Sequence, residues 1–149
     1  MSRTALLDKE DSLKNKGLIR DYMERSVHRL AAIDLLYERK SWADVVRESQ
    51  EVVELALKAL VRSLNIEVPR IHDVGDILLE NQSRVPQQVR SEVEKLAEAS
   101  HTLRRDRELA FYGSEDLTPS QFYKKKHADE ARKLAKFVVS VVKDALPKP

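Results

Sequence analysis

One stretch constrains this chain more than any other. Between Trp42 and Leu64, the residues Val45, Val46, Ser49, Val53, Ala56, Leu57 and Leu60 recur at spacings of three and four. That period puts them on one side of an α-helix of roughly six turns, about 33 Å long. A stripe so broad must be covered by other elements. Three glycines, five prolines and 5% aromatic residues are too few turn- and strand-formers to cover it with a sheet. The cover is therefore helical, and 149 residues suffice for one compact domain.

The remaining segments supply those helices. Residues 1–17 are polar and charged, and Asn15-Lys16-Gly17 interrupts the pattern, so they are expected to form a flexible or partly helical arm ahead of a single domain over 18–149. From Leu18, the residues Ile19, Tyr22, Met23, Val27, Leu30, Ile33 and Tyr37 predict helix one, ending near Arg39-Lys40. Ser41 is the expected N-cap of helix two, with Asp44 in its first turn. After a loop at Asn65–Pro69, Ile71, Val74, Ile77 and Leu78 mark a short third helix from about Arg70 to Gln82.

Pro86 suits the first position of helix four, whose stripe is Val89, Val93, Leu96, Ala97, Ser100 and Leu103, and Gly113 closes it. Thr118, Pro119 and Gln121 read as a capping box with Leu117 and Phe122 as a hydrophobic staple, opening helix five. Its stripe is Ala131, Leu134, Ala135, Val138, Val142 and Ala145. The additional Phe137, Val139 and Val141 make it either the central helix or one that meets a second subunit. Short connections between long helices imply an all-α, up-and-down bundle of four to five antiparallel helices, and a symmetric homodimer is the economical assembly.

Several kinds of chemistry are excluded. There is no cysteine, hence no disulfide, thiolate metal site or thiol nucleophile. The apolar run at Phe137–Val142 is too short for a bilayer and the first residues lack a signal-peptide core, so a cytoplasmic protein without membrane partners is expected. A net charge of +2 argues against bulk electrostatic binding of long nucleic acid. Glu98 and His101 have the Glu-x-x-His spacing of di-iron bundles, but no second such pair exists. Zinc-helix, phosphate-loop and nucleophile-elbow motifs are absent. No metal, cofactor or catalytic residue is assigned.

What remains is charge on helices. Arg104, Arg105 and Arg107, interleaved with Asp106 and Glu108, end helix four where its apolar stripe would continue. They read either as an intrahelical ion-pair network or as a phosphate site built from guanidinium forks. Lys124-Lys125-Lys126-His127 is mostly a solvated face. Glu54 and Lys58, four apart on helix two, read as a surface ion pair. Asp34, beside Ile33, calls for a partner such as an arginine of helix four.

Two stretches carry a family resemblance. Gln50 followed by Glu54, Lys58 and Ala59 on helix two, and Pro69-Arg70-Ile71-His72 opening helix three, are similar to HEPN domains (higher eukaryotes and prokaryotes nucleotide-binding), and the helix order fits over about residues 18–146. The resemblance implies a small helical bundle, commonly a homodimer, that handles nucleotides or RNA. Such proteins often work beside a minimal nucleotidyltransferase in toxin–antitoxin pairs. It makes Glu54, Lys58, Arg104, Arg105, Arg107 and Tyr112 a nucleotide-binding cleft. The arginines and Lys58 would hold phosphate, Glu54 would orient an arginine, and Tyr112 would either stack on a base or present a hydroxyl to a partner transferase. The ribonuclease branch carries an arginine followed four to six residues later by histidine. Here Phe111 and Tyr112 stand where that histidine would fall, and the general acid–base group is missing. The expected role is binding of a nucleotide or RNA phosphate, and the alternative is a metal-independent endoribonuclease.

Overall fold

The computed structural model describes residues 2–68, 73–105, 112–114 and 116–147. Among these every regular element is helical: α1 (Arg3–Glu38), α2 (Trp42–Ser63), α3 (Val74–Glu80), a 3-10 turn (Gln82–Arg84), α4 (Gln87–Arg90), α5 (Val93–Arg105), α6 (Pro119–Phe122) and α7 (Lys125–Ala145). The long helices pack as an antiparallel bundle.

α2 is its centre. It packs on α1, α7, α5 and α3, and Val45, Val52, Ala56, Leu57, Ala59, Leu60 and Val61 are fully buried. Neighbours on several sides explain why burial extends around the helix to Val52, Ala59 and Val61, beyond the stripe the period marks out. Of the two roles left open for helix five, the central one falls to α2. The additional apolar residues of α7 are used inside the domain: Val139 is buried, and Phe137 and Val141 pack half-exposed against the core.

Residues 3–17 take the helical of the two expected forms, but without the interruption at Asn15-Lys16-Gly17. They are helical and continuous with helix one, starting at Ser2, whose Oγ accepts the Ala5 N–H at 3.1 Å. Gly17 does not interrupt the helix; a Cβ there would meet nothing within 4 Å, so it costs only the ordinary glycine penalty of about 1 kcal/mol. α1 and α2 end alike. Lys40 and Asn65 take the left-handed conformation (φ 59° and 61°), and the N–H groups of Ser41 and Ile66 reach back to the carbonyls of Leu36 and Val61. Both ends are Schellman motifs built without glycine.

The helix starts also shift. Ser41 precedes α2 as expected, but its hydroxyl turns to Asp44 Oδ2 at 2.6 Å and leaves the backbone uncapped. Pro86 is the N-cap of α4, one place earlier than expected, and α4 and α5 are separated at Ser91-Glu92. The Thr118–Gln121 capping box is present, with bonds of 3.2 and 2.8 Å, yet it opens only the single turn of α6. Tyr123 is extended, and the long α7 begins after Lys124, whose N–H is accepted by His127 Nδ1 at 2.9 Å. A strong capping signal marks a start and carries no information on how far the helix runs.

Asp34 finds its arginine on α7, not on helix four. Arg132 donates to Asp34 Oδ1 from Nε at 3.0 Å and from a terminal nitrogen at 2.7 Å, and Lys136 stands 3.7 Å away. The guanidinium also lies 4.4 Å from the ring centre of Tyr37. The Tyr37 hydroxyl donates to Asp129 and holds that carboxyl below its ordinary pKa. These contacts lock the C-terminal half of α1 along α7.

Candidate functional site

The geometry brings part of the expected cleft together. Gln50, Glu54 and Lys58 follow one another at four-residue intervals along α2, at the margin of its buried face. Against that margin lies the last turn of α5, and Arg104 places a terminal nitrogen 3.6 Å from Glu54 Oε1. The arginine therefore reaches across to α2, so for Arg104 the pairing is between helices. At 3.6 Å the contact is coulombic and too long for a hydrogen bond, and Glu54 Oε1 is buried with no hydrogen-bond partner. One turn earlier, Gln50 is buried and its Oε1 also lacks a partner. Among the described residues, these two acceptors, one turn apart, have no hydrogen-bond donor.

Burial is the largest influence on Glu54 and pushes its carboxyl above the ordinary range. Lys58 and Arg104 oppose the shift, while Asp73 and Glu51 add to it. A carboxylate in this setting holds an arginine by charge without saturating it. The Arg104 side chain stays 38% exposed, which leaves its outward N–H groups able to meet a second anion. Arg105 is exposed beside it, Lys58 is half-buried, and Tyr112 is 78% exposed. Arg107 lies outside the described residues, as does Ile71 of the third-helix stripe.

The start of α7 lies at the same end of α5. Tyr123 and His127 line a small cavity of about 40 Å³ with Thr102 and Leu103. His127 stacks on Phe122 with ring centres 5.8 Å apart, and Lys125 pairs with Asp129 at 3.3 Å. Within the basic run, His127 is thus engaged within its own segment, and Lys125 with Asp129 and with the Tyr37 ring of α1.

A second cluster was not visible in the sequence. Asp73 caps α3, accepting the Gly75 N–H at 2.8 Å. His101 of α5 places Nε2 2.9 Å from Asp76 Oδ1 and 3.5 Å from Asp73 Oδ2. The three ligand-type atoms lie within 4.8 Å of one another, a spacing compatible with a cation or with hydrogen bonds inside the cluster. Gly75 permits the approach, since a Cβ there would sit 3.2 Å from both the Ala97 carbonyl and His101 Nε2. His101 thus turns to α3. Glu98 lies instead on the rim of a groove of about 420 Å³ between α5 and α7, floored by Ala99, Leu134 and Phe137. No spacing rule joins residues 25 or more apart in sequence, so only the packing of α3 on α5 could reveal the cluster.

Comparison with known proteins agrees with this architecture. The HEPN domain family matches residues 19–145. A solved structure described as the crystal structure of TT1696 from Thermus thermophilus is similar in fold. It has 23% identity and a TM-score of 0.68, covering 86% of this chain and 98% of that one. No curated protein matches. No helix among the described residues is long and apolar enough to cross a membrane.

Proposed function

The chain belongs to the HEPN domain family, and from that premise we propose that it is a nucleotide- or RNA-binding helical module, acting in the cytoplasm as a homodimer and as the partner subunit of a minimal nucleotidyltransferase. The observation that carries the binding role is the Glu54–Arg104 contact between α2 and the end of α5. A part-buried carboxylate steadies a guanidinium that stays 38% exposed, with Lys58 one turn further along α2 and Arg105 next in the chain. Phosphate oxygens suit those donors, and Tyr112 offers a ring for stacking. With no histidine at the family's catalytic distance from Arg107, binding without cleavage is the preferred reading.

The test is titration of the purified protein with mono- and trinucleotides by calorimetry. Arg104→Ala and Arg105→Ala are each expected to weaken binding by roughly tenfold, about 1.4 kcal/mol, and binding should fall as salt rises. Undiminished binding in both variants removes the cleft from the reading. RNA cleavage that is lost in Arg107→Ala replaces it with the endoribonuclease. A nucleotidyltransferase encoded beside this gene supports the partner assignment, and co-purification of the two products tests it directly.

A further inference from the structure

α3 and α5 bring three metal-ligating side chains to one point. His101 Nε2 lies 2.9 Å from Asp76 Oδ1 and 3.5 Å from Asp73 Oδ2. Local roles account for only part of this arrangement. Asp73 Oδ1 caps α3 through the Gly75 N–H at 2.8 Å and faces the Ser100 hydroxyl at 3.5 Å, which leaves Oδ2 for His101. A neutral imidazole carries one N–H, and at Nε2 that proton serves Asp76. The Asp73 contact is too long for a second hydrogen bond from the same nitrogen. Among the described residues no lysine or arginine pairs with either carboxylate. Two negative charges thus converge on one imidazole, which even when protonated balances only one of them.

We propose that this cluster binds a divalent transition cation of the zinc class, held by Asp73 Oδ2, Asp76 Oδ1 and His101 Nε2. The site does not depend on the nucleotide cleft. Around Zn2+, bonded at about 2.0–2.2 Å, the donors of a tetrahedron stand about 3.3–3.5 Å apart. The Asp73–His101 separation already has that value. The Asp76 side chain is 62% exposed, free to open its shorter contact by roughly half an ångström. Binding replaces the Nε2 proton by the cation, and the neutral ring then carries its proton on Nδ1. One imidazole nitrogen beside two carboxylate oxygens favours such a cation over Mg2+ and Ca2+, which take oxygen ligands. The two carboxylate charges match the dication, and three protein ligands leave a fourth position to water.

The fold prepares these donors. A ligating carboxylate is best fixed through its other oxygen, and Asp73 is held that way by the Gly75 N–H, with the buried Ser100 behind it. Gly75 also keeps the space between the ligands open. A Cβ there would stand 3.1 Å from Asp73 Oδ1 and 3.2 Å from His101 Nε2. Because the two aspartates belong to the start of α3 and the histidine to α5, a bound cation ties the short α3 to the bundle. A ligand set assembled only by that packing binds the folded chain alone and stabilises it by mass action.

Calorimetric titration of the chelator-stripped full chain with zinc chloride tests this. One equivalent is expected to bind, with Mg2+ and Ca2+ at least tenfold weaker. The melting temperature should rise with zinc and fall back when EDTA is added. His101→Ala and Asp76→Asn should each weaken binding at least tenfold, since changes to outer-shell partners alone already cost about that much. Asp73→Asn keeps a capping side chain on α3, so it should lose affinity while the zinc-free melting temperature stays unchanged, which separates ligation from folding. His28→Ala, at an exposed histidine of α1, should bind zinc as the wild type does. In imidazole nitrogen NMR spectra, zinc should shift Nε2 of a single histidine, and that signal should vanish in His101→Ala. Zinc binding undiminished in His101→Ala and Asp76→Asn, magnesium bound as tightly as zinc, or an absence of saturable zinc binding overturns the site and leaves the cluster as a hydrogen-bonded helix cap.

Discussion

α1 and α2 lie side by side and use their residues in opposite ways. α2 has 22 residues and buries twelve of them, whereas α1 has 36 and buries only Met23, Ser26 and Ile33. Length is therefore not what makes a helix a core element here. α2 is enclosed by α1, α3, α5 and α7 and holds the fold by burial. α1 is held by half-exposed packing along one side, by polar contacts to α2 and α7, and by its own capped turns. The surplus apolar surface of α1, at Leu6, Leu13 and Leu35, faces outward.

The largest expected effect separates the two helices directly. Leu60→Ala should cost about 2–5 kcal/mol in chemical denaturation, because Leu60 is fully buried where several helices meet. Leu13→Ala, at an exposed position, should change monomer stability by less than about 0.5 kcal/mol. Similar losses in both would break the contrast.

Next in size are changes that probe how α1 is held. Asp34→Asn should cost about 1 kcal/mol, since Arg132 donates twice to one of its oxygens while both side chains remain partly exposed. A double-mutant cycle with Arg132→Gln checks that the loss belongs to this pair. Lys40→Gly should raise the melting temperature, gaining about 1 kcal/mol, because the Schellman turn ending α1 needs a left-handed residue and lysine is strained there. No gain would mean that the Lys40 side chain contributes more than its backbone costs.

The smallest effect probes the functional edge of α2. Burial raises the pKa of Glu54, so folding favours its protonated form and its ionisation costs stability. That cost is absent below the ordinary carboxylate pKa and fully present above the raised one. Glu54→Gln should therefore match the wild type in acid and become the more stable of the two as the pH rises to neutrality, by less than about 1 kcal/mol. The reverse trend would mean that the attraction of Lys58 and Arg104 outweighs burial.

Much of this was legible in the residues. The α2 stripe, the helix four positions Val89, Val93, Leu96 and Leu103, the end of helix one at Arg39-Lys40 and the Thr118 box all follow from neighbours within one turn. The same locality hid the rest. Gly17 breaks a pattern of side chains but not a helix, since its penalty is spread over 36 residues. The break between α6 and α7 depends on Tyr123, which is 2% exposed and adopts an extended backbone at that point. For the site, Glu54, Lys58 and Arg104 were named from residue type and resemblance, whereas the Asp73–Asp76–His101 cluster has no local signature.

The sequence by itself determined that this chain is a helical bundle, where most helices begin or end, and which side of each turns inward, because periodicity and capping act over three or four residues. Only the tertiary structure decided which helix is central, that Asp34 belongs to Arg132, and that Arg104 reaches Glu54 while His101 reaches α3. Those pairings join residues tens of positions apart. Their energies depend on helix packing, which fixes distances that no local spacing encodes.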